Sequence, residues 1–253
     1  ISQSAEETLR SDTAVVMVVN ASESIPAVVA GGAANPEISI LSNTTLLEQA
    51  KGIYKSSGVV TGNNITTLYS PEGLPDGRIE VDNISYSLEN PDYYKYIGYN
   101  ITYYADTEND DRQIKYMEPG AGNNVTEIDA DDISRIEEDL SSVTYYDGDR
   151  EKTINISDTP NLIFNERYYG EYTEEDLDIE AGSVKIIKSD STDRVDTVMI
   201  ESYETMVFDR LSNDDSVLFN KFSYSGATES LDFNDAVYDI TKNGEKITLA
   251  DLN

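Results

Sequence analysis

The stretch 182–209, Gly-Ser-Val-Lys-Ile-Ile-Lys-Ser-Asp-Ser-Thr-Asp-Arg-Val-Asp-Thr-Val-Met-Ile-Glu-Ser-Tyr-Glu-Thr-Met-Val-Phe-Asp, leaves little room for anything but β-structure. Its runs at 184–187, 195–200 and 203–208 are rich in Val, Ile, Thr, Tyr and Phe and carry no helical period. They read as a hairpin running into a third strand, with a polar turn over 189–194 and a bend at Ser202. In the middle run Val198 and Ile200 point one way, and Val195, Thr197 and Met199 the other. Apolar side chains on both sides suit a central strand better than an edge.

The rest of the chain repeats this theme of short strands and turns. Alternation through Ile97, Tyr99, Ile101 and Tyr103, an acidic loop over 106–112 and a run at 113–117 predict a second hairpin. A third is predicted from 143–146 and 152–156, with Asp147-Gly148 as its turn. Further strands are expected at 14–19, 65–69, 123–128, 161–165, 216–224, 236–240 and 246–249, and from Arg78 onward to Tyr86. Residues 27–36 read as a loop. Short helices are expected after capping patterns at Ser4, Thr45 and Thr173, the second stopping at Gly52, and another from Asp129 through Leu140. No long amphipathic helix interrupts the pattern. The fold expected is all-β: two small β-barrel or sandwich-like modules over 53–142 and 143–253, with short helical turns and an irregular N-terminal arm over 1–52. The two modules share a loose order of motifs, compatible with duplication.

What the chain lacks bounds its chemistry. With neither cysteine nor histidine, there is no thiol nucleophile, disulfide, imidazole base or His-containing triad, and most zinc sites are excluded. A formal net charge of -31, from 49 acidic and 18 basic residues, repels nucleic acid and anionic lipid and favours solubility and cations. No apolar run is long enough to span a bilayer as a helix. The chain opens on Ile1, as a processed protein or an excerpt of a longer one would.

Several motifs carry a resemblance. Leu162-Ile-Phe-Asn165, Tyr172-Thr-Glu-Glu-Asp-Leu177, Gly182-Ser-Val-Lys-Ile-Ile187 and Val195-Asp-Thr-Val-Met-Ile-Glu-Ser-Tyr203 mark the second half, continued by Val207, Asn220-Lys221 and Leu249-Ala-Asp-Leu252. This half resembles a β-module of Firmicutes surface proteins and of virion structural proteins of large tailed phages. The first half is similar to the piece that often precedes it, in Tyr96-Ile-Gly-Tyr99, Tyr103-Tyr104, Ile114-Lys-Tyr-Met-Glu118 and Ile128-Asp-Ala-Asp-Asp-Ile133. The resemblance implies a structural role in a virion or at the cell surface. The turn over 189–194 departs from the module in lacking glycine.

Residue by residue, five chemistries stay in view. Carboxylate pairs could serve glycoside hydrolysis, and a Ser–Lys dyad acyl transfer, but no spacing singles out a pair. Calcium could be held by Asp190, Asp193 and Asp196, or by Glu108, Asp110 and Asp111; the competing reading is solvated turns. Tyrosines cluster at 93, 94, 96 and 99, at 103–104, at 145–146 and at 168, 169 and 172, either filling a core or forming a contact surface. Asn-X-Ser/Thr sequons begin at Asn20, Asn43, Asn64, Asn83, Asn100, Asn124 and Asn155. No catalytic, cofactor-binding or metal-binding residue is assigned, and no cofactor. The expectation is a non-enzymatic structural component of a virion or extracellular surface assembly. Its partners are other structural subunits in a multimer, with cations possible, and not nucleic acid or membrane; the arm over 1–52 would lie against a neighbour. The alternative is a secreted adhesin or carbohydrate-binding module using exposed tyrosines.

Overall fold

The computed structural model describes residues 21–30, 37–40, 44–106, 112–189, 195–222, 229–233, 240–243 and 245–252. Outside them lie the predicted helix after Ser4, the strand at 14–19, most of the strand at 236–240, and most of the acidic loop over 106–112 and of the polar turn over 189–194. The chain is all-β and divides into two compact units, residues 1–202 and 203–253.

The first unit opens with β1 (Ala27–Ala30) paired antiparallel to β2 (Glu37–Ile40), so the first four residues of the predicted loop at 27–36 are a strand, and the rest lie outside the described residues. A short helix, Leu46–Lys51, follows. Thr45 caps it by accepting the Glu48 N–H, and Gly52, at φ 65, ends it as predicted.

Five strands then close into a barrel: β3 (Ile53–Gly62), β4 (Arg78–Val81), β5 (Ile84–Leu88), β6 (Asn100–Asp106) and β7 (Gln113–Pro119). Their order around the barrel is β3-β4-β5-β7-β6, with β5 and β7 parallel and every other pair antiparallel. This Greek-key connectivity is shared with OB-type barrels, and connectivity alone assigns no function. The predicted hairpin over 97–117 is β6–β7, although the strand begins at Asn100 rather than Ile97. The strand predicted from Arg78 is β4, and the chain leads on to Tyr86 through a tight hairpin into β5. Asp82 and Asn83 both take positive φ, 47° and 62°, the two-residue turn that matches strand twist.

Barrel closure depends on β3 changing partners midway. Residues 53–59 pair with β6; Val60 and Gly62 then pair with β4 across a register shift. Asp82 pins this corner: its Oδ1 accepts the Val59 N–H at 2.9 Å, and its own N–H donates to the Val59 carbonyl at 2.8 Å. Gly58 makes room, because a Cβ there would lie 2.4 Å from Asp82 Oδ2. Inside, Val60, Ile79, Val81, Tyr86, Leu88, Ile101, Tyr103, Ala105, Ile114 and Met117 form the core.

Beyond the barrel, β8 (Asn123–Asp129), β9 (Ile133–Ile136), β10 (Ser142–Asp147), β11 (Arg150–Asn155), β12 (Asn161–Phe164), β13 (Arg167–Tyr168), β14 (Gly182–Ser189) and β15 (Thr197–Ser202) make two sheets. One has the order β13-β12-β15-β14-β8, the other β11-β10-β9. Leu140, Val143, Ile156, Leu162, Val184, Ile186, Val198 and Ile200 fill a shared core. The predicted hairpins over 143–156 and 184–200 are present as β10–β11 and β14–β15. β15 is central, as its two apolar faces predict: Val198 and Ile200 enter this core, while Met199 packs on the barrel core.

Further expectations differ, among them the strand at 65–69, where only isolated bridges at Thr67 form. The helix predicted from Asp129 through Leu140 is a single turn of 3-10 helix, Ala130–Asp132, running into β9; the β-branched Ile133 and Ile136 are turned toward the core instead. The division at 142/143 falls inside β10, and β8 pairs with β14 along its whole length.

In the second unit, β16 (Phe208–Leu211), β17 (Val217–Asn220) and β18 (Ser230–Asp232) form one sheet, and β19 (Ile240–Lys242) and β20 (Glu245–Ile247) a hairpin. The third strand predicted over 203–208 is therefore largely absent: 203–207 is irregular, and β16 pairs with β17 rather than with β15. Exposed Glu204 and Thr205 interrupt the apolar run there.

Candidate functional site

Tyrosine is the side chain that the barrel sorts most sharply. Tyr54, Tyr86 and Tyr103 line one hydroxyl chain: Tyr86 and Tyr103 oxygens are 3.0 Å apart, Tyr54 and Tyr86 oxygens 3.4 Å. The Tyr86 and Tyr103 rings meet edge to face at 5.5 Å. Burial pushes the Tyr103 phenol up to about 12, with its bond to Tyr86 adding to the effect. These hydroxyls serve the core.

Their neighbours point outward. Tyr104 follows Tyr103 on β6 and pairs across the sheet with Tyr116 of β7, their centroids 6.1 Å apart. Tyr116 is 46% exposed and donates to Glu118 Oε2 at 2.9 Å. That bond, then burial, raises its phenol, and Tyr93 and Tyr96 act on it electrostatically in the same direction. Those two rings come from the 3-10 turn Pro91–Tyr96. Asn90 caps the turn by accepting the Asp92 N–H, and Pro91 fits its first position. Tyr93 and Tyr96 stack at 6.2 Å with an interplanar angle of 25°, and Tyr99 meets Tyr96 edge-on at 5.8 Å.

Charge frames this aromatic face. The Lys55 Nζ lies 5.5 Å from the Tyr104 centroid and 2.7 Å from Glu23 Oε1, and the Tyr104 hydroxyl also donates to Glu23. The Lys55 hydrogen bond, followed by that of Tyr104, holds the Glu23 carboxyl below its ordinary value. Residue 23 of the expected N-terminal arm is thus tied to the barrel wall. Lys95 sits over the Tyr96 ring at 5.3 Å. The face presents ring area, phenol hydroxyls and two lysine ammoniums, one of them paired with Glu23.

The other tyrosine clusters are divided by the same alternation. Tyr145 and Tyr172 pack on the sandwich core and Tyr168 on the barrel core, while Tyr146 and Tyr169 are exposed. Tyr94 is half-buried and accepts the Gly77 N–H at 2.8 Å. Sequence clustering missed Tyr54, Tyr86 and Tyr116, because each is alone in its strand. Cross-strand register, not proximity along the chain, brings them to the others.

Of the calcium candidates, Asp190, Asp193, Glu108, Asp110 and Asp111 lie outside the described residues. Asp196 is buried and already engaged: its Oδ2 accepts the Ser157 N–H at 3.0 Å and lies 3.9 Å from Lys188 Nζ. Among the described residues no three acidic side chains gather as a metal site would require. Nor is any helix among them long and apolar enough to cross a membrane.

No protein-family model, curated protein or solved structure matches the chain.

Proposed function

We propose that this chain is a non-enzymatic structural component of a virion or extracellular surface assembly, joined to neighbouring subunits through the tyrosine face of its barrel. The observation that carries the reading is the cross-strand pair Tyr104–Tyr116, with Tyr116 exposed, near Tyr93 and Tyr96, which stack on each other half-buried against the barrel core. Tyrosine is enriched at interfaces because it brings large area with few rotors and a hydroxyl that tolerates water. The resemblance of residues 53–253 to surface and virion β-modules, read from the sequence, is consistent with this reading. A charge of -31 makes close approach of bare copies costly, so the docking partner supplies basic groups or recruits cations.

The test is incorporation. Tyr116→Ala and Tyr96→Ala, singly and together, are compared with the natural chain for copurification with particles or envelope fractions at fixed stoichiometry. Loss of incorporation with an unchanged circular dichroism spectrum is the expected result. Full incorporation of the double variant would remove the tyrosine face from the account.

The flat Tyr93–Tyr96 stack also favours a second reading, a carbohydrate-binding module in which a sugar ring lies on the aromatic surface. Tyr96-dependent signals on a glycan array, without any fixed-stoichiometry assembly, would select it.

A further inference from the structure

The sequons noted in the sequence differ sharply once folded. We propose that the folded chain carries N-linked glycans at Asn83 and Asn124, and that Asn64, Asn100 and Asn155 stay bare. The inference rests on the extracellular reading above, since a sugar donor and transferase must be met outside the cytoplasm.

Transfer to a folded acceptor needs three accessible residues: the asparagine, its neighbour, and the hydroxyl two positions on. Asn83, Ile84 and Ser85 are all exposed, at the tip of the β4–β5 turn where Asn83 takes φ 62. Asn124 and Val125 are exposed and Thr126 half-buried, on β8, the outer strand of its sheet.

Asn20 and Asn43 lie outside the described residues, and the remaining three sequons are locked. Thr66, the hydroxyl residue for Asn64, is fully buried; its hydroxyl donates to the Ser70 carbonyl and accepts the Tyr168 N–H at 2.8 Å. Asn64 itself donates to Asp76 Oδ1 at 3.2 Å, and its own Oδ1 is sealed in without a donor. Asn100 likewise has a buried, unpartnered Oδ1 and is followed by Ile101, fully buried in the barrel. For Asn155 the next residue, Ile156, is buried, and the Ser157 hydroxyl accepts the Asp196 N–H at 3.1 Å.

The chemistry is a substitution at carbon. The asparagine Nδ2 attacks the anomeric carbon of a polyprenyl-phosphate-linked sugar. The C–N bond forms as the C–O bond to phosphate breaks, the lipid phosphate leaves with the electron pair, and one amide proton passes to a base of the transferase. Neither acceptor lies on β6 or β7, the strands that carry Tyr104 and Tyr116. The locked Asn100 is the first residue of β6. A glycan on β8 would in addition shield an open sheet edge against strand addition.

The experiment is glycopeptide mass spectrometry on the full chain isolated from its own cells or particles. Added sugar mass on the peptides holding Asn83 and Asn124, and none on those holding Asn64, Asn100 and Asn155, is expected. Ser85→Ala should abolish the Asn83 adduct, and Ser85→Thr retain it. Bare Asn83 or Asn124, or sugar on any of the other three, overturns the inference. A bare chain present in an assembly at fixed stoichiometry refutes the glycans and leaves the structural role standing. A glycosylated chain found in no assembly does the reverse.

Discussion

Replacing Tyr103 with phenylalanine gives the most quantitative test of how the barrel is held. Tyr103 is 5% exposed, its hydroxyl 3.0 Å from that of Tyr86. Its phenol is raised from 10 to about 12, chiefly by burial. At ~1.4 kcal/mol per pH unit, that gap is worth ~3 kcal/mol. A folded-state value above the unfolded one means that the native chain holds the proton more tightly. The stabilisation is complete below the unfolded value of 10 and drains away as pH climbs to about 12. Tyr86, raised in the same sense and again chiefly by burial, adds to the slope. The variant removes one titrating group and leaves the Tyr86 hydroxyl with its longer 3.4 Å contact to Tyr54, a cost of ~1 kcal/mol at neutral pH. Urea unfolding followed by far-ultraviolet circular dichroism would be run in steps from neutral pH to about pH 12. Tyrosinate absorbance is read in parallel, free of tryptophan because the chain has none. The variant should start less stable and lose less with alkali, so that the two curves meet at about pH 11 and cross above it. Parallel curves would show that Tyr103 ionises as freely in the folded chain as in the unfolded one, and the reasoning would fail.

Other substitutions probe the remaining joints. Gly58→Ala drives a Cβ to within 2.7 Å of Val81 Cγ1 as well as onto Asp82. Calorimetry should show a loss of ~1–3 kcal/mol, and an unchanged Tm would mean the β3 corner is not tight. Asp196→Ala strands the Ser157 N–H and should cost ~1–3 kcal/mol in chemical denaturation, whereas a neutral result would show that water replaces the carboxylate. Ile200→Ala, at a position 1% exposed, should cost ~2–5 kcal/mol by the same assay, and less than ~1 kcal/mol would mean that the sandwich core collapses around the gap.

Periodicity carried the fold class because β-structure writes itself into local alternation. Residues 97–117 and 184–200 each alternate or run apolar between clear turns, and both became hairpins. What was missed or misread shares a cause. Asp82-Asn83 carries no glycine, so its turn was hidden in a strand-like run, although asparagine and aspartate tolerate positive φ better than other residues. The acids at 129–132 offer a helix cap, but the isoleucines after them found more burial in a sheet. The tyrosine face was half legible. Tyr93, Tyr96, Tyr99 and Tyr104 stand out as a cluster, while Tyr116 joins them only through a cross-strand register that no single stretch of sequence encodes.

β15 has oil on both sides, and this restricts how the strand can change. Val198 and Ile200 belong to one interior and Met199 to another. Deleting a single residue ahead of Thr197 would exchange the two sets, sending branched side chains where a thin flexible thioether now fits. Both interiors would be mis-filled by one slip. Length variation in this region should therefore be confined to loops, and a truncation meant to isolate the barrel from its neighbouring sheets would uncover an apolar flank on whichever piece keeps the strand.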